Sequence, residues 1–153
     1  LADFAVVTTP LQVKKPLKST SLMSFQEIAV GDHSFQGKEK PMRLKDMIEN
    51  PLISLGQGST TNEFYSKFFL ENNLVLSPDT EVETIDQVLP LIMNGLGVGF
   101  LPELFVRPVI EEGKVCQIPL KENIPEREIC LVENHTFPPS IAAELFKKML
   151  VLK

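Results

Sequence analysis

The chain contains few residues of the types that bind metals or form redox pairs. It has two cysteines and two histidines among 153 residues. His33 and His135 lie about a hundred residues apart, with no His or Cys at ligand spacing, so we predict no metal site and no cofactor. Cys116 and Cys130 stand in apolar, strand-like stretches without a neighbouring Lys or His to lower their thiol pKa. We therefore expect buried, reduced thiols.

Membrane spans, a signal peptide and a basic surface are missing as well. A span needs roughly 18 apolar residues in a row, and the longest candidate, Val88–Leu101, is interrupted by Pro90, Asn94 and three glycines. The first residues lack the charged segment and cleavage pattern of a signal peptide. The net charge is -5 with a pI of about 5.1, and the lysines are scattered. These features predict no membrane association and no direct binding of nucleic acid.

The beginning of the sequence predicts a fragment. It lacks an initiator methionine, and its first residues have the pattern of the interior of a strand. A length of 153 residues suffices for one ordinary domain or for two small lobes. With 43% hydrophobic and 23% charged residues, the composition is that of an ordinary globular protein.

Proline and glycine positions divide the chain into alternating short strands and helices. The predicted strands are Asp3–Val7, Leu22–Val30, Leu52–Leu55, Thr80–Glu83, Leu96–Leu101, Lys114–Leu120 and Glu128–Glu133. The predicted helices cover Arg43–Ile48, a segment from the Gly56–Thr61 turn to about Asn72, Thr84 to Met93 or Asn94, Glu103–Val106 before Pro108, and a final amphipathic helix with Ile141, Leu145, Met149 and Leu152 near one face. This alternation predicts an α/β sandwich with mostly parallel strand pairing.

The strongest local feature is a glycine-rich turn between a predicted strand and a predicted helix, Gly56-Gln57-Gly58-Ser59-Thr60-Thr61. Its glycines let a ligand approach the backbone closely, and the first N–H groups of the following helix attract an anion. The hydroxyl groups add donors without charge. An ordinary helix cap with no ligand explains the same residues. The turn is not a Walker motif, because no Lys follows the second glycine.

Two further turns have a similar character. Thr84 and Gln87 have the spacing of a capping box after a strand, and Thr8-Thr9 ends another strand. If the three turns converge, they would hold a small anionic or carboxylate-bearing ligand through helix dipoles and hydroxyl groups. We expect no arginine in this site, because Arg43, Arg107 and Arg127 lie in segments predicted to be elsewhere.

Catalysis has little support in the sequence. A serine nucleophile needs a base within hydrogen-bond reach, and both histidines lie in turn-like stretches typical of the surface. The acids Glu81 and Glu83 share one strand face and are expected to be solvated. A helical cluster of aromatic residues lacks basic neighbours, so it indicates a core or a partner interface; it comprises Phe64, Tyr65, Phe68 and Phe69.

An ordered set of motifs resembles the effector domain of LysR-type transcription regulators. The motifs are DFAVV from Asp3, FQEIAVGDHSF from Phe25, PLISLGQGST from Pro51, NGLGVGFLPE from Asn94, VCQIPL from Val115, EICLVEN from Glu128 and a closing PPSIAAELFKKML helix. NGLGVGFLP is the most specific of them. The resemblance extends over essentially all of the chain.

The resemblance implies an α/β, two-lobed fold like that of type 2 periplasmic binding proteins. Residues 1–30 and 128–153 would form lobe I, and residues 31–127 lobe II. A small-molecule effector would lie in the cleft between the lobes. It would contact Thr8, Thr9, Phe25, Gln57, Gly58, Ser59, Thr60, Thr84 and Ile85, with Phe25 as an apolar wall.

Some parts that the resemblance implies have no counterpart in the sequence. These are the winged helix-turn-helix, through which the family contacts DNA, its linker helix, and the first strand and helix of lobe I. We therefore expect lobe I to be incomplete. The resemblance also implies that the parent protein is a cytoplasmic homodimer or homotetramer. Two alternatives stay open: a solute-binding receptor of a transporter, which a signal peptide upstream would favour, and an enzyme on a related fold, which would need an acid, base or positioned Arg in the cleft.

Overall fold

The computed structural model describes residues 2–151 of the chain. Contacts between residues divide them into two compact units. The first unit combines the residues up to Ser24 with those from Arg127 onward, and the second contains Phe25–Glu126. The boundary falls earlier than the predicted position after residue 30. The reason is that Glu27–Gly31 forms an interior strand of the second unit's sheet.

Eight strands and five helices make up the described residues. The strands are β1 (Phe4–Thr8), β2 (Leu17–Phe25), β3 (Glu27–Gly31), β4 (Leu52–Leu55), β5 (Thr80–Val82), β6 (Val98–Pro102), β7 (Cys116–Ile118) and β8 (Arg127–Asn134). The helices are α1 (Leu44–Met47), α2 (Thr60–Glu71), α3 (Val88–Met93), α4 (Glu103–Glu111) and α5 (Ile141–Val151), with 3-10 turns at His33–Phe35 and Ile85–Gln87. None of these helices has the length and apolar character of a membrane span.

The first unit is a three-stranded sheet, in the order β1-β8-β2, with α5 packed on it. β1 and β8 run antiparallel, from Phe4 opposite Glu133 to Thr8 opposite Ile129. Phe4 also stacks on Phe146 of α5, with ring centroids 5.8 Å apart. The Asp3 carboxylate accepts two hydrogen bonds from Ser140, one from its backbone N–H and one from its hydroxyl. Ser140 directly precedes α5.

The predicted apolar face of α5 does not face the sheet. Ile141, Leu145 and Met149 are all exposed, and Ala143 is the buried residue of this helix. The fourth member of the predicted face, Leu152, lies outside the described residues. Spacing predicted the helix correctly, but it could not tell which side of the helix would be covered.

The second unit is a five-stranded sheet in the order β5-β4-β6-β3-β7. β4 pairs parallel with β5 and β6, whereas β3 pairs antiparallel with β6 and β7. The prediction of mostly parallel pairing is therefore wrong. β3 enters this sheet directly after a strand of the other unit, so its direction is set by where the chain crosses rather than by a β-α-β connection.

Two apolar layers cover the faces of this sheet. Leu52 of β4 belongs to the layer under α2, which contains Tyr65, Phe68 and Phe69 packed around Phe100. Its neighbour Ile53 points to the opposite layer, formed mainly by α3 and α4. This alternation is the period-two pattern of a strand buried on both faces. The aromatic residues of α2 are thus core residues rather than a stacking surface.

Two element boundaries differ from the prediction. The strand predicted at Leu22–Val30 is divided at Gln26 into β2 and β3, because its two halves belong to different units. Helix α4 continues through Pro108 to Glu111 instead of ending before the proline. Proline costs a helix one backbone hydrogen bond. Burial of Val106, with Val109 and Ile110 packed on the same layer, offsets that cost.

The motif NGLGVGFLP forms the end of α3 and the strand β6. Gly95 follows the C-cap Asn94 with a φ of 72°, the left-handed conformation typical of a helix end, as predicted. Gly97 lies directly against the backbone of Pro51, and a Cβ there would overlap the carbonyl oxygen of Pro51. The Val98 N–H donates to that same oxygen at 2.8 Å. Glycine at position 97 therefore lets β6 lie beside β4.

We predict that Gly97→Ala destabilises the protein by roughly 1–3 kcal/mol more than Gly113→Ala, because the added methyl group displaces β6 from β4. Gly113 is a matched control: its φ is 74°, but a Cβ there would meet nothing within 4 Å. Urea unfolding of both variants measures the difference. Equal losses of stability would show that the close approach at Gly97 is unimportant.

Asp32 directly follows β3 and caps the 3-10 turn at His33–Phe35. Its Oδ1 accepts hydrogen bonds from the hydroxyl and from the backbone N–H of Ser34. These bonds, the hydroxyl first, hold the pKa of the Asp32 carboxyl below its usual 3.8. His33 itself is exposed, as predicted.

We expect Asp32→Ala to lower the free energy of unfolding at pH 7 by about 1 kcal/mol, the usual value of such a cap. Because folding lowers the pKa of Asp32, its contribution is complete above the unfolded-state pKa and is lost as the pH falls through the folded-state value. The difference between wild type and Asp32→Ala in urea unfolding should thus narrow from pH 5 to pH 2. A difference that does not change with pH would contradict the assignment.

Candidate functional site

The turn between β4 and α2 is an exposed, donor-rich helix start. Ser59 is the N-cap of α2, and its Oγ accepts the N–H of Asn62 at 3.0 Å. The Asn62 side chain in turn donates to Leu55 O at 2.8 Å, which fixes the helix start to the end of β4. Gly58 has a φ of 95°, with no atom within 4 Å of the position of a Cβ. A ligand can therefore approach the backbone of this turn.

The residues predicted for this turn lie together around the helix start. Gln57, Gly58 and Thr60 are exposed, and Ser59 is partly exposed. Helix α2 has twelve residues, and Glu63 is the only acid in its first turn. A helix of this length carries a partial positive charge at its N-terminus, where the first N–H groups lack partners within the helix. The turn can therefore hold an anionic group.

The second predicted turn, at Thr84 and Ile85, lies at the same edge of the sheet. β4 and β5 are parallel neighbours with Leu55 opposite Val82, so the turns that follow them are adjacent. Thr84 and Gln87 form the predicted capping box, with Gln87 Oε1 accepting the N–H of Thr84 at 3.3 Å.

The chemistry around Thr84 differs from that around Ser59. A surface cavity of about 610 Å³ lies beside the turn, and three carboxylates line it: those of Glu81, Glu83 and Asp86. Helix α3 is short, and a 3-10 turn precedes it. These carboxylates repel an anion in that cavity. The turn at Thr84 is therefore a less favourable anion site than the start of α2.

Thr8 and Thr9 lie at the end of β1 in the first unit, and an arginine contacts both. Arg127 donates from Nε to Thr9 O at 2.8 Å and from Nη2 to Thr8 Oγ1 at 3.0 Å. The expectation that Arg127 lies away from the predicted turns is therefore wrong. β8 pairs with β1, and Ile129 lies opposite Thr8. Sequence spacing could not show that pairing, because the two strands are far apart in the chain.

Glu27 is a buried acid that sequence reasoning missed. It is 1% exposed at the start of β3, and its Oε2 accepts the hydroxyl of Tyr65 on α2 at 2.7 Å. The bond joins α2 to β3 within the second unit and helps to hold the helix whose N-terminus forms the first turn. Phe25, predicted as an apolar wall, is buried with 8% of its surface exposed.

The described residues offer hydrogen-bond donors rather than reactive groups. Residues 2–151 contain no cluster of His, Cys, Asp and Glu that could hold a metal. Both cysteines are unbonded; Cys130 is buried and Cys116 partly buried. Both histidines are exposed. Small-molecule binding is the chemistry that these turns support.

This fold and its donor-rich strand ends define an α/β small-molecule-binding domain. The family model for the LysR substrate binding domain matches residues 1–152. The chain belongs to that family. The match confirms the resemblance seen in the sequence motifs, and it places the chain among binding domains of transcription regulators rather than among enzymes.

Sequence relatives and solved structures agree with this assignment. The chain is 29% identical over 102 residues to YwqM of Bacillus subtilis (strain 168), an uncharacterized HTH-type transcriptional regulator. That alignment covers 64% of this chain and 33% of YwqM, so the chain matches about a third of that relative's length.

Two solved structures have the same fold. The effector binding domain of QuiR in complex with shikimate superposes with a TM-score of 0.82 at 17% identity, covering 98% of this chain and 70% of that one. The regulatory domain of CcmR from Synechocystis PCC6803 in complex with 2-PG also gives a TM-score of 0.82, at 12% identity, covering 98% and 72%. The predicted α/β fold of the periplasmic-binding-protein type is thus confirmed.

We predict that Tyr65→Phe lowers the free energy of unfolding by about 1–3 kcal/mol, because a buried carboxylate loses a hydrogen-bond donor. A double-mutant cycle with Glu27→Met, which removes the acceptor at similar side-chain length, is measured by urea unfolding and isolates the contribution of the pair. If the effects of the two substitutions on the free energy of unfolding are additive, the hydrogen bond between Tyr65 and Glu27 does not stabilise the packing of α2 on β3.

Proposed function

We propose that this chain is the effector-sensing part of a LysR-type transcription regulator, and that its effector is a small molecule with a carboxylate or another anionic group. The proposed contacts are the predicted strand-end residues Thr8, Thr9, Phe25, Gln57, Gly58, Ser59, Thr60, Thr84 and Ile85. Thr8 and Thr9 belong to the first unit, and the other proposed contacts belong to the second.

The observation that carries the proposal is the open start of α2. Ser59 orders the first turn, Gly58 leaves the backbone uncovered, and no side chain covers the space beside Gly58. Backbone N–H groups of a helix start, combined with the helix dipole, favour an anion without a matching cation. Partly buried interactions of this kind contribute about 1–2 kcal/mol.

The first unit supports the same chemistry. Thr8 and Thr9 supply hydroxyl groups, and Arg127 donates hydrogen bonds to Thr8 Oγ1 and to Thr9 O, which hold this turn in place. By contrast, the carboxylates near Thr84 oppose an anion, so we assign Thr84 and Ile85 to an uncharged part of the ligand. Phe25 is buried with 8% of its surface exposed, and its proposed role is that of an apolar wall of the site.

Two of the structural neighbours favour an anionic ligand. QuiR was solved with shikimate, which carries a carboxylate, and CcmR was solved with 2-PG. These ligands belong to those proteins, and at 17% and 12% identity they suggest a class of molecule to test here. They do not identify the effector of this chain.

The parent protein would transmit ligand binding to DNA through a segment other than this chain. In this proposal the ligand favours one arrangement of the effector domains in a homodimer or homotetramer, and a winged helix-turn-helix responds to that arrangement. A regulator of this kind acts where the bacterial chromosome lies, so the cytoplasm is the proposed location.

Ser59→Ala should weaken binding of the anion by roughly 10-fold or more, because the substitution removes the N-cap hydroxyl that accepts the Asn62 N–H and so loosens the first turn of α2. The panel is shikimate, 2-PG, acetate and inorganic phosphate, screened by thermal shift at millimolar concentration and then measured by calorimetry. Ser77→Ala is the matched control, since Ser77 is exposed and lies outside the turn that begins α2.

Two results would contradict this proposal. Equal affinities of Ser59→Ala and Ser77→Ala would remove the α2 start from the site. Failure of the wild-type protein to bind any member of the panel would exclude the anionic class of ligand. Urea unfolding of both variants shows whether a loss of affinity merely follows a loss of stability.

A further inference from the structure

The apolar face of α5 is exposed along the length of the helix. Ile141, Leu145 and Met149 follow one another at intervals of four residues and are 80%, 58% and 68% exposed. Residues four apart lie on the same side of a helix. Ala143, on the opposite side, is the buried residue of α5. The helix is therefore held on one side and presents an apolar ridge on the other.

This ridge is large for the surface of a monomer. Together with Phe137, which precedes the helix and is 70% exposed, it presents roughly 400–600 Å² of apolar surface, comparable to the largest patch on a typical monomer. Buried between two copies of the chain, it would remove roughly 1,000 Å² from water, which is close to the lower limit for a specific interface. That area predicts a weak dimer, with a dissociation constant of roughly 10 μM to 1 mM.

The spacing of the ridge is complementary to itself when two copies lie antiparallel. Because a helix rises about 1.5 Å per residue, Ile141, Leu145 and Met149 lie about 6 Å apart along its axis. A twofold axis at position 146 places the same residues of a second copy between them, so that the levels of the two copies alternate at intervals of about 3 Å. Ridges of residues four apart pack into the grooves of a second helix in this way.

The charges beside the ridge fit the same arrangement. Glu144 and Lys148 lie on one flank of it, both are exposed, and neither forms an ion pair with any of residues 2–151. The twofold axis at position 146 brings Glu144 of each copy level with Lys148 of the other, which gives two equivalent ion pairs. A parallel arrangement would instead place this flank against Ala142 and Phe146, which carry no charge. A cavity of about 590 Å³ beside Glu144 and Lys148 leaves room for the side chains of another helix.

We infer that α5 is a self-association surface, on which a second copy of this chain packs antiparallel about a twofold axis at position 146. The occupant is a second copy because the ridge and its charges are complementary to themselves, which an interface between identical surfaces requires. α5 would thereby provide one surface for the homodimer or homotetramer of the proposed function. Association through α5 needs no ligand, so it is measured separately from effector binding.

The first test places a charge at the centre of the ridge. Leu145→Glu brings two carboxylates together at the twofold axis, and we expect the dissociation constant of the dimer to rise by about 10-fold or more. Leu70→Glu is the matched control, since Leu70 is 64% exposed and lies on α2 in the second unit. The control should stay within about 2-fold of wild type. Sedimentation velocity measures association, and urea unfolding checks that both variants fold.

The second test reverses the charges on the flank, which distinguishes an antiparallel pair of helices from unspecific apolar association. Glu144→Lys and Lys148→Glu each place like charges opposite one another at two points, so each should weaken the dimer roughly 3- to 10-fold. The double variant with both substitutions restores opposite charges and should return to within about 3-fold of wild type. High salt should reduce the differences between the variants, because these charges are exposed.

A dimer that Leu145→Glu weakens and that the double charge reversal restores would support the inference. Three results would overturn it. The wild-type protein could stay monomeric up to about 1 mM; the dimer could be equally stable in Leu145→Glu and Leu70→Glu, which would assign the association to another surface; or the double charge reversal could fail to restore it. None of these results affects the proposed function, which depends on anion binding and its loss in Ser59→Ala.

Discussion

The second unit depends on the close approach of β6 to β4. β6 is the middle strand of its sheet, parallel to β4 on one side and antiparallel to β3 on the other. The approach is possible because Gly97 has no Cβ where the Pro51 carbonyl lies. Once β6 is in place, β4 is fixed, and with it the turn that begins α2. The most specific sequence motif of the chain is thus a packing motif whose consequence is the position of the anion-attracting helix start.

The polar turns of the two units are each held by hydrogen bonds to a neighbouring strand. At α2 the donors are backbone N–H groups, ordered by Ser59 and joined to β4 through Asn62. At Thr8 and Thr9 the hydroxyl oxygens accept hydrogen bonds from Arg127 and from the backbone N–H of Glu128. In both turns a second strand or helix supplies the restraint, so the polarity of each site comes from tertiary contacts rather than from the turn residues alone.

Much of the fold could be predicted from local sequence. β4 was predicted at Leu52–Leu55 without error, and the starts of α2 and of the Thr84 turn followed from capping patterns. Such features depend on residues within one or two turns of each other. The errors concern features that depend on contacts with distant residues. Pro108 stays inside α4 because Val106 and its neighbours are buried. The antiparallel pairing of β3 follows from the point at which the chain passes from one unit to the other.

The sequence by itself determined the family, the alternation of strands and helices, and the residues at the candidate turns, because these are properties of short segments and of their order. Only the tertiary structure revealed that Arg127 lies against Thr8 and Thr9, since more than a hundred residues separate them and strand pairing alone brings them together. It also showed that Glu27 is buried and accepts a hydrogen bond from Tyr65. A sequence indicates which groups are present, but the electrostatic preference of a site depends on which groups the fold places beside them.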